Sequence, residues 1–117
     1  MARVFLCEDD ASFRLLTRIH LEAAGHEIVG ESADGTGCDA AIPAVAPDVA
    51  LIDNLLTREQ WATIRKGTPD TKLVLFSGMP DSRLAQEAER VGADASIPKR
   101  VATSELCDTV ARLAASS

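Results

Sequence analysis

Apolar residues follow two alternating patterns along this chain. Short unbroken apolar runs recur, and each is followed by a longer segment in which apolar residues return at helical spacing. The first pattern is typical of a strand buried on both faces, and the second is typical of an amphipathic helix. The predicted strands cover residues 3–7, 26–31, 49–52, 72–77 and 93–97, and the predicted helices cover 13–24, 36–45, 59–66, 82–91 and the region around 106–113.

Strict alternation of strands and helices predicts an α/β fold with a parallel sheet and helices on both of its faces. The expected architecture is a doubly wound, flavodoxin-like, five-stranded sheet of order 2-1-3-4-5. The chain has 117 residues and no linker, repeat or low-complexity segment. We therefore expect residues 1–117 to form one domain around one sheet.

Polar residues and one proline suggest how some of the helices begin and end. Asp10 and Asp81 are placed to cap the first and fourth helices, and Thr36 resembles the start of a capping box for the second. Pro43 is expected to shorten or distort the second helix, because proline lacks the N–H group that a helix interior requires.

Composition and charge exclude several classes of function. The formal net charge is −6, and aromatic residues make up only 3% of the chain, so neither a basic nucleic-acid surface nor a base-stacking platform is expected. No apolar stretch approaches the roughly 20 residues of a membrane span, and no signal segment precedes the first strand. These features predict a cytoplasmic protein that binds neither nucleic acid nor membrane through this domain.

Cysteine spacing argues against a zinc site or a disulfide framework. Cys7, Cys38 and Cys107 are far apart in the sequence, odd in number and without a Cys-x-x-Cys pair. We expect free buried thiols, as in a reducing compartment. His20 and His26 lie in helix and edge-strand contexts and are expected at the surface with no ligand role.

Polar side chains stand where the buried strands end. The third apolar run ends abruptly on Asp53, and an unpaired carboxylate inside a core would be very costly. The first strand ends in Glu8 and Asp9, the fourth ends in Ser77, and Lys99 follows the fifth. Because the carboxyl ends of parallel strands meet at one edge, we expect these groups to lie close together.

Three crowded carboxylates repel one another and require positive charge nearby. Lys99 supplies one such charge, and a divalent cation would supply more. Oxygen-only ligands in an incomplete cage favour Mg²⁺, which keeps several waters and leaves room for phosphate. A hydroxyl and an ammonium beside that metal would form a cradle for phosphoryl oxygens.

These residues belong to a series of short motifs that follow one another along essentially the whole chain. They are Glu8-Asp9-Asp10, Gly30-Glu31-Ser32-Ala33-Asp34-Gly35, Pro47-Asp48-Val49-Ala50-Leu51-Ile52-Asp53, Leu75-Phe76-Ser77-Gly78, Gly92-Ala93-Asp94 and Lys99. In this order and spacing the chain resembles the receiver domain of bacterial two-component response regulators.

The resemblance implies a role for each residue at the strand ends. Asp53 would accept a phosphoryl group from a histidine kinase or phosphotransfer protein. Mg²⁺ would be held by Asp9 and Asp53, by Glu8 mainly through water, and by the backbone carbonyl of Leu55. Ser77 would hydrogen-bond the phosphoryl group and draw its loop inward, and Lys99 would pair with a phosphoryl oxygen. Such a domain is a signalling module and not an enzyme, beyond self-catalysed phosphorylation and slow dephosphorylation.

Four features depart from the pattern of this family. Residues 54–61 lack the usual Met-Pro and Asp-Gly motifs and form a shorter connection. Ser96 stands where the family has a switch aromatic, and Arg100 replaces the frequent proline after Lys99, so no cis Lys-Pro bond is expected. Leu55 and Met79 occupy positions that often carry polar groups near the attacking water, which predicts slow self-dephosphorylation.

Three other functions compete with the phosphoacceptor. A pseudo-receiver would keep the fold as a docking or dimerisation module without phosphorylation, and the altered 54–61 loop and Ser96 favour it. A Mg²⁺-dependent phosphatase would need a second carboxylate at position 55, which is Leu. A flavodoxin would need a phosphate-binding loop after the first strand. The resemblance also leaves open a homodimer, and a C-terminal helix-turn-helix output domain for transcription regulation in a longer protein.

Overall fold

Five parallel strands and five helices alternate along the chain in the computed structural model, which describes residues 1–116. The prediction of an α/β fold with strand order 2-1-3-4-5 is confirmed. None of the helices within residues 1–116 has the length and apolar character needed to cross a membrane. The elements are β1 (Arg3–Cys7), α1 (Ala11–Ala23), β2 (Glu27–Ser32), α2 (Gly35–Val45), β3 (Val49–Ile52), α3 (Arg58–Gly67), β4 (Lys72–Ser77), α4 (Asp81–Val91), β5 (Ala95–Pro98) and α5 (Thr103–Ala115).

The central strands are buried on both faces because side chains alternate across a strand. On one face of the sheet, Phe5 of β1 and Ile52 of β3 pack with residues of α2, α3 and α4. On the other face, Val4 and Leu6 of β1 and Leu51 of β3 pack with residues of α1 and α5. The unbroken apolar runs in the sequence therefore reflect two cores, one on each side of a single sheet.

Two helix starts agree with simple capping rules. Asp10 precedes α1, and its carboxylate accepts a hydrogen bond of 3.0 Å from the Phe13 N–H, as predicted. Thr57 precedes α3 and forms a reciprocal capping box with Gln60, in which each side chain accepts from the other residue's N–H. Both caps satisfy N–H groups that the first helical turn leaves unpaired.

Other expectations about helix ends are wrong. Asp34, not Thr36, caps α2, because its carboxylate accepts from the Gly37 N–H at 2.6 Å. Asp81 is the first residue of α4 and makes no capping bond; it forms an ion pair with Arg100. Pro43 does not shorten α2, which continues to Val45 as predicted, and a distortion of the helix at Pro43 stays a prediction.

The cysteines also differ from expectation. Cys7 at the end of β1 and Cys38 in α2 form a disulfide, with Cα atoms 6.1 Å apart, while Cys107 is a buried free thiol. Cys7 and Cys38 are far apart in the sequence, so their spacing gives no sign of the bond. They meet because the pairing of β1 with β2 brings α2 back over the end of β1. The expectation of free thiols is therefore wrong for Cys7 and Cys38 and correct for Cys107.

His26 is buried, contrary to the expected surface position. It is 7% exposed, its Nδ1 accepts from the Ala2 N–H at 3.0 Å, and its Nε2 lies 3.3 Å from the Cys107 carbonyl oxygen. The ring joins the start of the chain to α5. The other histidine, His20, is half-buried, with Nδ1 3.2 Å from the Thr103 hydroxyl.

Gly30 allows β1 and β2 to pack closely. A Cβ atom at Gly30 would lie 2.7 and 2.8 Å from two ring carbons of Phe5, which is 1% exposed and cannot move aside. We expect Gly30→Ala to lower the free energy of unfolding by about 1–3 kcal/mol, the usual cost of overpacking a core. Urea unfolding measures this difference.

Gly78→Ala is the matched control, because no atom lies within 4 Å of a Cβ built there. It should unfold at nearly the wild-type urea concentration. Equal stability of Gly30→Ala and the wild type would contradict the close contact with Phe5.

Candidate functional site

The candidate site lies at the carboxyl edge of the sheet, between β1 and β3. Cys7 pairs with Ile52 at the ends of these two strands, so Glu8 and Asp53 leave the sheet side by side. The Asp53 N–H donates to the Cys7 carbonyl at 2.9 Å, which extends the pairing by one residue. In an open sheet of order 2-1-3-4-5 this is the switch point where ligands bind.

Three carboxylates meet at this edge. One oxygen atom from each of Glu8, Asp9 and Asp53 lies within 4.8 Å of the other two. Glu8 is buried, Asp53 is half-buried and Asp9 is exposed. An all-oxygen set that opens to solvent on one side suits a hard cation such as Mg²⁺, which retains some of its waters. The residues present thus fit the metal that their chemistry suggests.

Lys99 neutralises the buried side of this cluster. Its Nζ lies 2.6 Å from Glu8 Oε1 and 3.2 Å from Asp53 Oδ2. The same ammonium lies 4.7 Å from the ring centroid of Phe13, within the range of a cation–π contact. The backbone N–H of Lys99 donates to the Ser77 carbonyl at 2.9 Å. The end of β4 therefore fixes the backbone position of Lys99.

Burial and mutual attraction shift the pKa values of Glu8 and Lys99. Desolvation raises the pKa of Glu8 above its usual value; the Lys99 ammonium and the Asp10 N–H oppose this effect, and the neighbouring Asp53 adds to it. Desolvation would lower the pKa of Lys99, but the hydrogen bond to Glu8 and the charge of Asp53 outweigh it and raise this pKa. Lys99 is therefore charged at neutral pH, and its ammonium favours the ionised form of Glu8.

Further hydrogen bonds hold the carboxylates of Glu8 and Asp53, the two inner members of the cluster, in place. Glu8 Oε2 accepts from the Asp10 N–H at 3.1 Å, and Asp53 Oδ1 accepts from the Asn54 N–H at 2.7 Å. The Leu55 N–H donates to the Asp53 carbonyl at 2.9 Å in a tight turn. The backbone thus leaves the strand sharply just after Asp53.

Ser77 lies at the same edge, but its side chain is turned to its own loop. It is 3% exposed, and its hydroxyl accepts from the Met79 N–H at 3.3 Å. The structure therefore brings Glu8, Asp9, Asp53 and Lys99 together by their side chains. It places Ser77 beside them only through the backbone contact with Lys99.

The family model for the response regulator receiver domain matches residues 4–111. The chain belongs to this family. It is similar to the chemotaxis protein CheY of Thermotoga maritima, with 26% identity over 101 residues that cover 83% of this chain and 84% of CheY. It is also similar to a candidate transcriptional regulator of Pseudomonas aeruginosa, with 27% identity over 110 residues. That match covers 91% of this chain and 53% of the regulator, so the chain spans about half the length of this relative.

A solved receiver domain shows the same fold. The signal receiver domain of the candidate response regulator NarL from Mycobacterium tuberculosis superposes with a TM-score of 0.88 at 26% identity, covering 99% of this chain and 98% of that one. Receiver domains are signalling modules, and this superposition covers nearly the whole of both chains. The agreement extends over the strands whose ends form the candidate site.

The segment after Asp53, which is predicted to depart from the family pattern, packs into the core. Leu56 is 7% exposed, and Trp61 in α3 is 1% exposed. Both side chains belong to the core between the sheet and helices α2, α3 and α4. Leu55 packs against the same core from the site side. The short connection is thus closed by apolar packing. The peptide bonds of residues 1–116 are all trans, including the bond between Lys99 and Arg100, for which no cis form was predicted.

Two residues of α1 support the site and were not predicted. Phe13 lies against the Lys99 ammonium, and one guanidinium nitrogen of Arg14 donates to the Glu8 carbonyl at 2.7 Å. Arg14 also pairs with Glu31 of β2 at 3.4 Å. Helical periodicity places Arg14 on the polar face of α1, where an arginine is usually solvated. No sequence signal distinguishes it from such a residue.

Removal of the Lys99 charge should make stability depend more steeply on pH. In Lys99→Met the pKa of Glu8 rises further, so the folded state binds more protons than the unfolded state above pH 4.5, the usual value for this group. Stability is then lost as pH rises. We expect the variant to lose about 1–2 kcal/mol relative to wild type between about pH 5 and about pH 7.

Urea unfolding in metal-free buffer at the two pH values measures this loss. Lys66→Met removes an exposed lysine of α3 and serves as the control. A wild-type pH profile for Lys99→Met would show that Glu8 does not depend on the ammonium.

Proposed function

We propose that residues 1–117 act in the cytoplasm as a phosphoacceptor module of a two-component system. In this proposal Asp53 takes a phosphoryl group from a histidine kinase or phosphotransfer protein. The observation that carries the proposal is the half-buried Asp53 carboxylate, held between Lys99 and a cluster of acidic oxygens. Family membership supports it, because receiver domains are signalling modules.

Glu8, Asp9, Asp53 and the Leu55 carbonyl would hold Mg²⁺. The bound metal would offset the negative charge of the carboxylates and of the incoming phosphoryl group. The buried side of the cluster already has Lys99, so the open side near the exposed Asp9 is where a cation would enter. Both carboxylate oxygens of Glu8 already have partners, the Lys99 ammonium and the Asp10 N–H, which fits a role at the metal through water.

The chain's own residues position the reacting carboxylate. The Asn54 N–H fixes Asp53 Oδ1, and Lys99 holds Oδ2. In the transfer, an Asp53 oxygen forms a bond to phosphorus while the bond from phosphorus to the histidine nitrogen of the partner breaks. Lys99 would then shift from a carboxylate oxygen to a phosphoryl oxygen, so its charge is used before and after the transfer.

Ser77 would carry the switch. Its hydroxyl oxygen accepts from the Met79 N–H, and its own O–H can still donate to a phosphoryl oxygen. Movement of the hydroxyl toward that oxygen would draw the loop after β4 inward. The loop leads directly into α4, whose first residue, Asp81, pairs with Arg100 after β5. The signal would therefore pass to the face formed by α4 and β5, without an aromatic residue at Ser96.

The name of the Pseudomonas relative suggests where such a signal would go. We propose that the module controls transcription, through an output domain such as a helix-turn-helix in a longer protein, and that it can form a homodimer. The transcriptional regulator match, of which this chain spans 53%, supports the control of transcription.

Incubation with acetyl phosphate and Mg²⁺, followed by intact-mass measurement, tests the phosphoacceptor. The wild type should gain the mass of one phosphoryl group, and Asp53→Asn should gain none. Asp70→Asn removes an exposed carboxylate before β4, at the opposite edge of the sheet, and should behave as wild type. A wild type that gains no mass would favour the pseudo-receiver, a docking module that the altered 54–61 loop and Ser96 would suit.

We expect self-dephosphorylation to be slow, because Leu55 and Met79 occupy positions that often carry polar groups near the attacking water. Both side chains are apolar, pack against the core and offer no group to orient a water. Met79→Gln should shorten the phosphoryl half-life several-fold, since a positioned amide can orient an attacking water. The exposed Ala85→Gln on α4 is the control, and loss of the added mass over time is the measurement. A rapid decay in the wild type would contradict the expectation.

A further inference from the structure

The Cys7–Cys38 disulfide lies next to the acidic cluster. It joins the last residue of β1 to the first turns of α2 and closes a loop of sequence separation 31. Cys7 and Cys38 are 1% and 0% exposed. The resemblance to receiver domains assigns no role to Cys7 and Cys38, and the phosphoacceptor chemistry does not use them.

The position of Cys7 connects the disulfide to two of the three carboxylates. Cys7 directly precedes Glu8 in the chain, and its carbonyl accepts the Asp53 N–H at 2.9 Å. A constraint on the Cys7 backbone is therefore one covalent step from Glu8 and one hydrogen bond from Asp53. Any change in how firmly Cys7 is held reaches both residues.

The other end of the disulfide leads back to the same edge by a second route. Asp34 caps α2 through the Gly37 N–H, and Ser32, the last residue of β2, accepts the Glu8 N–H at its carbonyl at 3.0 Å. The Ser32 hydroxyl donates to the Asp34 carbonyl at 3.1 Å. With the disulfide closed, the end of β1 and the start of α2 form a small ring of contacts around Glu8.

We propose that Cys7 and Cys38 are a reversible redox site that sets the rigidity, and hence the cation affinity, of the Glu8–Asp9–Asp53 cluster. The oxidant is a low-molecular-weight disulfide of the glutathione class. Each thiol gives up one proton and one electron to form the protein S–S bond, and the small disulfide is cleaved to two thiols. A dithiol reductant reverses the exchange with the same balance.

Both redox states are compatible with the fold. Free thiols behave as small apolar groups, so the reduced pair would stay packed in the core formed with α2 and α3. The exchange needs only a local opening at the start of α2, where Ala33, Asp34 and Thr36 are exposed. In the reduced state the end of β1 loses its covalent tie to α2 and keeps only its hydrogen bonds.

The redox state should therefore change cation binding. In the oxidised form the Cys7 backbone is already fixed, so less conformational entropy is lost when the carboxylates close around a cation. The oxidised protein should bind Mg²⁺ about fivefold more tightly than the reduced protein, at the low end of common coupling between sites. This part rests on the Mg²⁺ site of the proposed function.

The first test counts thiols in the wild-type chain. After treatment with oxidised glutathione, alkylation in denaturant should modify Cys107 alone, and peptide mapping should find Cys7 linked to Cys38. After reduction, alkylation should modify all three cysteines. Three modified cysteines after oxidation, or a link that includes Cys107, would overturn the proposal.

The second test measures Mg²⁺ affinity by calorimetry in the two redox states. Cys107→Ser should keep the difference between the states, whereas Cys38→Ser should bind as the reduced wild type does under both conditions. Equal affinity in the oxidised and reduced wild type, including no binding in either, would overturn the coupling. The wild-type comparison needs no variant, so a poorly folded Cys38→Ser protein does not affect it.

Acetyl phosphate labelling distinguishes this inference from the proposed function. Phosphorylation of Asp53 in both redox states with equal Mg²⁺ affinity would refute the coupling alone. A redox-dependent Mg²⁺ affinity without any phosphorylation would refute the phosphoacceptor function and leave the redox site supported.

Discussion

The contact of the Lys99 ammonium with Glu8 and Asp53 is the interaction on which the site depends. An ionised carboxylate as deeply buried as Glu8 is stable only with a charged partner, and Lys99 provides it at 2.6 Å. The partner is available because β5 and β1 end at the same edge of the sheet, although they are separated by β3 and β4. The strand order thus places the Lys99 ammonium beside Glu8 and Asp53, and its charge stabilises the carboxylates at this edge.

Several supports converge on the same strand end. The carbonyl of Glu8 accepts from Arg14, its carboxylate accepts from the Asp10 N–H, and its own N–H donates to Ser32. The preceding residue, Cys7, is tied to α2 by the disulfide. Asp9 stands apart from these contacts and faces solvent. The inner carboxylates are therefore held in place before any ligand arrives, and the outer one is free to meet it.

Much of this arrangement follows from the sequence. Unbroken apolar runs predicted the buried strands, and their order predicted the sheet, because parallel strands with right-handed crossovers allow few alternatives. The rule that parallel strands share a carboxyl edge then brought Glu8, Asp9, Asp53 and Lys99 together. What the sequence did not reveal depends on side-chain direction: Ser77 turns to Met79, and Arg14 turns inward to Glu8.

The disulfide was missed for a related reason. Spacing rules recognise cysteines that are close in the sequence, whereas Cys7 and Cys38 meet through the packing of α2 on the sheet. The buried His26 is similar, since its partners Ala2 and Cys107 come from opposite ends of the chain. Such contacts arise only once the topology is known.

We propose that the carboxyl edge of this sheet holds a divalent cation between Asp9 and the fixed carboxylates of Glu8 and Asp53. Calorimetric titration of Mg²⁺ into Asp9→Asn and Asp10→Asn tests it most directly, because the two adjacent residues differ in role: Asp9 lies in the cluster, and Asp10 caps α1. We expect Asp9→Asn to lose at least about tenfold in affinity, a difference of roughly 1.4 kcal/mol, while Asp10→Asn binds as the wild type does. Equal affinities for the two variants would contradict it.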